Sequence, residues 1–246
     1  MPSFWGLVNS VIREADILLL VLDARLVTES RNIEIERKIR EAGKPLIYVV
    51  SKSDLTDKEE AKRAASDLKP MVLFSAKDYR GVRQLRKAIV IEAKRRGKEE
   101  ITVGVLGYPN VGKSSLINAL KGRGSAGTSP LSGYTRGLQK IRLSRKIMLI
   151  DTPGVIPYKE KDFIKQSSMG TIDFLHTREP DIVVAELMAR FPEKFERFYK
   201  MKIAEDPYDA IEVLALKHHV LKRGGEPDMM TMARRMLIDW QKGRII

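Results

Sequence analysis

The stretch ITVGVLGYPNVGKSSLINAL, residues 101–120, decides how the rest of the chain is read. Its first half alternates apolar residues at Ile101, Val103 and Val105, the pattern of a buried strand. Its second half opens a helix at Ser115-Leu116-Ile117. Between them Gly107-Tyr108-Pro109-Asn110-Val111-Gly112-Lys113-Ser114 matches GxxxxGK[ST] in full, in the strand–loop–helix setting the motif requires. Glycines let the backbone curl so that its N–H groups face a phosphate chain, and a helix N-terminus adds a positive dipole end. Val111, Gly112, Lys113, Ser114 and Ser115 are the residues placed to do this. Lys113 would reach the terminal phosphates, and the Ser114 hydroxyl would ligate Mg²⁺. The spacing implies a nucleoside triphosphate site.

Composition bounds the rest. A chain of 246 residues can bury a full core, and one large domain with a smaller one is the natural expectation. There is no cysteine, which excludes disulfide and thiolate–zinc frameworks. The apolar run at 17–22 is one strand long, far short of a membrane span. Residues 1–5, MPSFW, lack the basic and apolar regions of an export signal. A cytoplasmic protein with no membrane contact and no obligate oligomer is expected.

Lys and Arg number 45 against 32 Asp and Glu, a net charge of +13 that favours a polyanionic partner. A heavily charged thermophile surface would give a similar total, so position must decide. Residues 121–146 carry Lys121, Arg123, Arg136, Lys140, Arg142, Arg145 and Lys146 with no acid. In 83–98 only Glu92 interrupts Arg83, Arg86, Lys87, Lys94, Arg95, Arg96 and Lys98. The C-terminal part adds Lys217, Lys222, Arg223, Arg234, Arg235, Lys242 and Arg244, where a solvated face explains the charge as well. Single-sign stretches beside a nucleotide site suit contact with a phosphate backbone. Aromatic residues are few and not interleaved with these basics, so recognition of folded RNA by shape is expected rather than base stacking.

Taken in order, ILLLVLD at 17–23 and LIYVV at 46–50 read as buried strands, and MVLF at 71–74 as a third. Helical patterns at 32–41, 57–68 and 82–94 alternate with them, and a charged linker at 95–100 leads to the phosphate-loop strand. Two more strands are expected at 138–143 and 146–150. Alternating strands and helices with motifs at strand carboxyl ends describe an open, mostly parallel α/β sheet with flanking helices. Beyond about residue 161 the alternation stops. Helical segments at 163–175, 181–190, 206–221 and 228–241 then describe a smaller all-α domain. The expected division is 1–162 and 163–246.

Further tetrapeptides carry nucleotide chemistry. Ser51-Lys52-Ser53-Asp54 resembles the guanine box NKxD, in which the aspartate accepts two hydrogen bonds from the guanine edge and the lysine stem packs along the base. Ser51 stands where that box has asparagine. Ser75-Ala76-Lys77 resembles SAK, whose alanine N–H meets the guanine carbonyl oxygen. Asp151-Thr152-Pro153-Gly154 resembles DxxG, with Asp151 on Mg²⁺ through water and the Gly154 N–H on the γ-phosphate. Gly133-Tyr134-Thr135 supplies a switch threonine for Mg²⁺, with Thr128 the lesser candidate. Each alone is common by chance; together, each in its expected loop, they reinforce one another.

Their order is rotated. Ordinary GTPases read phosphate loop, switch threonine, DxxG, NKxD, SAK, whereas this chain begins with the last two. It resembles a circularly permuted GTPase, with the join near Gly97. The Asp23-Ala24-Arg25 triplet with Ser30-Arg31-Asn32 after it, the GYPNVGKSS loop, and GGEPD at 224–228 with Asp239-Trp240 resemble the YlqF/YawG family. That resemblance covers nearly the whole chain. It implies a GTP-hydrolysing switch that binds rRNA and precursor large ribosomal subunits, slow alone and stimulated by the particle. Lys113, Asn110, Thr135 and Gly154 are its expected catalytic groups, and GTP or GDP, Mg²⁺ and K⁺ its expected ligands. Asn110 resembles the loop asparagine of potassium-dependent GTPases, where the amide oxygen holds a monovalent cation beside the phosphates; shaping the loop is its other reading.

Val155 stands where Ras-like proteins keep a water-orienting glutamine, and an apolar side chain cannot take that role. His176, His218 and His219 fall in the helical part and are read as packing residues, not as the histidine that bacterial relatives place before their first helix. Two rivals follow: a guanine-nucleotide-regulated RNA-binding module with negligible turnover, and an ATPase with a degenerate base box. Nucleotide competition separates the last. Asp54→Asn should shift preference from guanine toward xanthine diphosphate, because an amide can donate where the carboxylate only accepted. Unchanged GDP affinity in that variant would remove the base box from the site.

Overall fold

The computed structural model describes residues 4–122, 139–151, 179–203 and 206–246. The chain divides into two compact units, Met1–Glu160 and Lys161–Ile246. Among the described residues no helix is long and apolar enough to cross a membrane.

The first unit is a six-stranded sheet ordered β3-β2-β1-β4-β6-β5. Its strands are β1 (Ile17–Asp23), β2 (Leu46–Ser51), β3 (Met71–Leu73), β4 (Ile101–Leu106), β5 (Gln139–Arg142) and β6 (Ile147–Asp151). All neighbours pair in parallel except β5, which runs antiparallel to β6. β1 is buried at every residue, as a central parallel strand covered on both faces must be. β5 closes the edge with exposed Lys140 and Arg142, charges that discourage pairing with another chain.

The sheet order explains the rotated motifs. β1 and β4 lie side by side at the centre; β2 and β3 extend to one side, and β6 and β5 to the other. The chain therefore builds the base-box half first and then crosses to the phosphate-loop half. The crossing is the charged segment after α5 (Val82–Arg95), and it is tethered: Arg96 donates to the Gly43 carbonyl at 2.7 Å and Lys98 pairs with Asp16 at 2.6 Å.

Helices fill both faces. α1 (Phe4–Glu14) was not expected; its buried Val8, Val11 and Ile12 lie one helical face apart and cover β4. A short α2 (Val27–Ser30) follows β1, and α3 (Ile33–Glu41) is capped by Asn32, whose side chain accepts from the Ile35 N–H at 3.0 Å. Asp57 caps α4 (Lys58–Ala64) in the same way. This helix ends at Ala64, short of the expected residue 68, with Ala65 as its C-cap. α6 (Lys113–Lys121) rises from the phosphate loop.

In the second unit the described helices are α7 (Pro180–Arg190), α8 (Pro192–Tyr199), α9 (Pro207–Lys217) and α10 (Met229–Gln241). The expected helix at 163–175 lies outside the described residues. α8 corrects the sequence reading, which places no helix between 190 and 206. Proline at the first helical position has no N–H to waste and its φ is already helical, so Pro192 opens a helix there. α9 stops short of residue 221 because His219 is left-handed and 220–228 fold back on themselves, Asp228 N–H donating to the Val220 carbonyl at 2.9 Å. The unit packs around Trp240, which is fully buried and stacked on Phe191 at 5.2 Å and Phe195 at 5.9 Å.

One close approach sets the fit of α1 on the sheet. A Cβ on Gly104 of β4 would lie 2.6 Å from Val11 Cγ1, 2.9 Å from Leu18 Cδ1 and 3.0 Å from Ala15 Cβ. Gly104→Ala should therefore destabilise the first unit by about 1–3 kcal/mol in urea unfolding, and adding Val11→Ala should recover part of the loss.

Candidate nucleotide site

The expected nucleotide motifs that fall within the described residues all stand at the carboxyl ends of parallel strands. β4 runs into the phosphate loop, β2 ends on Ser51 and leads into the base box, β3 leads into Ser75-Ala76-Lys77, and β6 ends on Asp151. This is the edge at which open α/β sheets bind ligands, and β1 and β4 flank the point where the strand order reverses.

The loop 107–114 is curled by backbone that side chains tolerate poorly. Gly107 has φ +144, and a Cβ there would lie 2.6 Å from the Val21 carbonyl oxygen of β1. Asn110 is left-handed at φ +59, a conformation asparagine accepts more readily than most residues, and Gly112 follows at φ +104. The loop-shaping reading of Asn110 thus has a physical basis in this backbone. Lys113 begins α6 and is 7 % exposed. Its Nζ donates to the loop's own Gly107 and Tyr108 carbonyls, at 2.8 and 2.6 Å. Burial lowers its pKa to about 8, with the nearby Asp151 charge pulling the other way. Asp151 sits in register with Val105 at the head of the loop and is itself 6 % exposed. Ser114 is half-buried and Ser115 exposed on the first turn of α6.

The base box is joined to this loop across the end of β1. Ser51 is 2 % exposed, and its hydroxyl donates to the Val111 carbonyl of the phosphate loop. A Cβ on Gly112 would come within 3.1 Å of that hydroxyl oxygen, so a short side chain suits the gap. The departure from asparagine at this position is therefore compatible with a link between base box and loop. Lys52 follows in left-handed backbone, φ +55, with Asp54 half-buried beyond it. The Ser53 N–H donates to the Phe74 carbonyl at 3.0 Å, tying the base box to the end of β3.

Ser75 is fully buried and its hydroxyl accepts from the Asp78 N–H at 3.1 Å, while its own N–H donates to the Arg80 carbonyl. Gly81 closes that turn at φ +83; a Cβ would fall 2.1 Å from the Leu73 carbonyl oxygen. Ala76 is left half-buried and Lys77 exposed at the rim. Phosphate loop, base box, Ser75–Lys77 turn and Asp151 are thus brought to one sheet edge. Thr135, its lesser alternative Thr128, Gly154 and Val155 lie outside the described residues. Asp23 and Arg25, which the sequence reading gave no role, end β1 between base box and loop; an acid–base pair directly after a fully apolar strand was the available signal.

Fold and site together define an α/β domain with a phosphate-loop motif, its sheet built in the rotated order of the motifs. The family profile described as "50S ribosome-binding GTPase" matches residues 102–209. An uncharacterized GTP-binding protein of Methanocaldococcus jannaschii is 35% identical over 97% of this chain and 65% of its own length. Nuclear/nucleolar GTPase 2 of Arabidopsis thaliana is 34% identical over 98% of this chain and 43% of its own. Nucleolar GTP-binding protein 2 of Saccharomyces cerevisiae is 32% identical over 98% and 52%. The chain thus spans between about two fifths and two thirds of these relatives. Among solved structures, GDP-bound YlqF from T. maritima superposes with a TM-score of 0.66 at 20% identity, covering 96% of this chain and 94% of that one; the GNP-bound form gives 0.64 at 19%. The superposition shows that the chain has the YlqF fold.

If this loop holds phosphates, the lowered pKa of Lys113 should make their binding pH-dependent. Below about pH 8 the free lysine is charged and affinity should be flat. Above it, each binding event must take up a proton, so GDP affinity should fall by up to about ten-fold per pH unit. Calorimetry in two buffers of different ionisation enthalpy would read that uptake directly; a flat affinity from pH 7 to 9.5 would contradict it.

Proposed function

We propose that this protein binds GTP, hydrolyses it, and uses the two nucleotide states to enter and leave a precursor of the large ribosomal subunit. The observation that carries the reading is the join between Ser51 of the base box and Val111 of the phosphate loop, at the reversal point of a permuted sheet. It holds a base-reading carboxylate, Asp54, and a phosphate cradle in one rigid frame.

In this reading the amides of Val111, Gly112, Lys113, Ser114 and Ser115 cradle the phosphates. The Lys113 ammonium leaves the Gly107 and Tyr108 carbonyls for the terminal phosphates, replacing two neutral acceptors with charged ones. Asp54 and Lys52 hold the guanine with Ser75, Ala76 and Lys77. The hydroxyl of Ser114 and the buried carboxylate of Asp151 are hard oxygen donors that fit Mg²⁺. Bound there, Mg²⁺ would neutralise charge on the phosphates. Thr135 and Gly154 are assigned to the switch, and Asn110 to a K⁺ ion beside the phosphates.

The assembly role is supported by the relatives' names, nuclear and nucleolar GTPases, and by the ribosome-binding description of the matched profile. Positive surface is available for rRNA: Arg83, Lys87 and Lys94 on α5, and Arg142 and Arg145 at the β5–β6 turn, are exposed. Other basics of the same stretches are committed within the unit. Arg86 donates to the Leu120 carbonyl, Arg95 pairs with Glu92, and Lys140 pairs with Glu14. The helical second unit is assigned to the same partner. Where the cell has no nucleolus, the place of this work is the cytoplasm.

Two measurements test the reading. Pelleting with immature large subunits should show at least about ten-fold tighter binding with a non-hydrolysable GTP analogue than with GDP, a difference of about 1.4 kcal/mol. Equal binding in both states at matched salt would reduce the protein to a constitutive RNA-binding GTPase. Hydrolysis should be faster in K⁺ than in Na⁺ at equal ionic strength, and Asn110→Ala should erase the difference.

A further inference from the structure

The end of β1 holds a charge cluster that the nucleotide motifs do not account for. The Asp23 and Arg25 side chains are each 1 % exposed. Arg25 grips the carboxylate with Nε on Oδ1 at 3.1 Å and Nη2 on Oδ2 at 2.9 Å, and its backbone N–H adds a bond to Oδ1 at 3.0 Å. A fourth bond comes from the guanine-box lysine: Lys52 Nζ lies 2.7 Å from Asp23 Oδ2. Both oxygens are thus saturated with donors.

The carboxylate is held rigidly. The Asp23 N–H donates to the Ser30 hydroxyl at 3.0 Å, and that hydroxyl donates to the Leu26 carbonyl at 2.6 Å. The Ala24 N–H donates to the Ser51 carbonyl at 2.9 Å, and Asp23 is the register partner of Ser51. Burial alone would push the Asp23 carboxyl upward, but the Arg25 and Lys52 charges outweigh it and hold it well below the usual carboxylate range. Lys52 is the one member that reaches the surface, 23 % exposed, and its backbone is left-handed at φ +55. Such a backbone persists in a non-glycine residue where surrounding contacts over-determine it.

We infer that Asp23, clamped by Arg25, is a positioning residue for guanine-nucleotide binding: it anchors the Lys52 ammonium so that the stem of Lys52 lies ready as a platform for the base. This rests on the guanine-site reading above. A free lysine stem samples many rotamers, and ordering it at the moment of binding would cost affinity. With its ammonium tied to a fixed carboxylate, that cost is met in the fold. The platform packs on the flat face of a purine and reads no edge. It therefore contributes to affinity for any base that Asp54 admits, and nothing to the choice among them.

The test uses the full chain, with GDP, IDP and inorganic pyrophosphate with Mg²⁺ as probes. Asp23→Asn should weaken GDP and IDP alike by about ten-fold, leave the GDP-to-IDP ratio unchanged, and leave pyrophosphate binding unchanged. Lys52→Met keeps the stem, removes the ammonium and leaves Asp23 satisfied by Arg25; it should show the same loss. The double variant should lose no more than either single one. An unchanged GDP affinity in Lys52→Met would overturn the proposal even if Asp23→Asn fails to fold. So would a loss of pyrophosphate binding equal to that of GDP, because the cluster would then serve only the general architecture. If the wild type binds GDP no better than pyrophosphate, the guanine-site reading itself fails, and the proposal with it.

Discussion

Everything at the nucleotide edge depends on how closely the phosphate loop lies over the end of β1. Gly107 passes above the Val21 carbonyl at a distance that leaves no room for a Cβ. That approach brings the Val111 carbonyl within reach of the Ser51 hydroxyl from the far side of β1. A larger residue at 107 would lift the loop, break the link and separate the segment after β2 from the loop after β4. The permutation makes this link more important, since the two halves lie at opposite ends of the unit's sequence and are covalently joined only through the crossing near Gly97.

Charge is organised around the same edge. Lys113, Arg25 and Lys52 supply three cationic side chains in buried or half-buried positions, against the buried carboxylates Asp23 and Asp151. Burying cations is costly unless partners are close. Each of these has one: loop carbonyls for Lys113, and the Asp23 carboxylate for both Arg25 and Lys52. The hydrogen-bond partners of Lys113 are neutral carbonyls, and burial lowers its pKa against the pull of the nearby Asp151 charge. A polyphosphate bound at this loop would relieve that state by adding negative charge beside the ammonium.

The helical second unit is built on different physics. Its described helices are short, three of them opening on proline, and they converge on Trp240 between Phe191 and Phe195. Phe191 is the residue just before Pro192, so one position both separates α7 from α8 and stacks on the central indole. A local reading of Phe-Pro as a break is correct about the end of α7 and blind to the start of α8. The proline restricts the residue before it and favours a helix after it, and only the packing of Phe195 and Tyr199 against the rest of the unit makes that second helix form.

The sequence by itself determined the strands, the helices with strong caps such as Asn32 and Asp57, the phosphate loop, and the rotated order of the motifs. These are local signals: apolar runs, cap side chains within three residues of the amides they serve, and glycines at fixed spacing. Tertiary structure alone decided which strand lies beside which, and every property that depends on it. Ser51 reads as a departure from asparagine until β1 is seen to bring it to the Val111 carbonyl. Asp23 and Arg25 carry no legible task until the pairing of β1 with β2 sets their carboxylate and fork beside the Lys52 ammonium. The reason is one of range. Hydrogen-bond and ion-pair contacts between residues 29 and 60 positions apart are invisible to periodicity, and they exist only once the sheet order has placed those residues side by side.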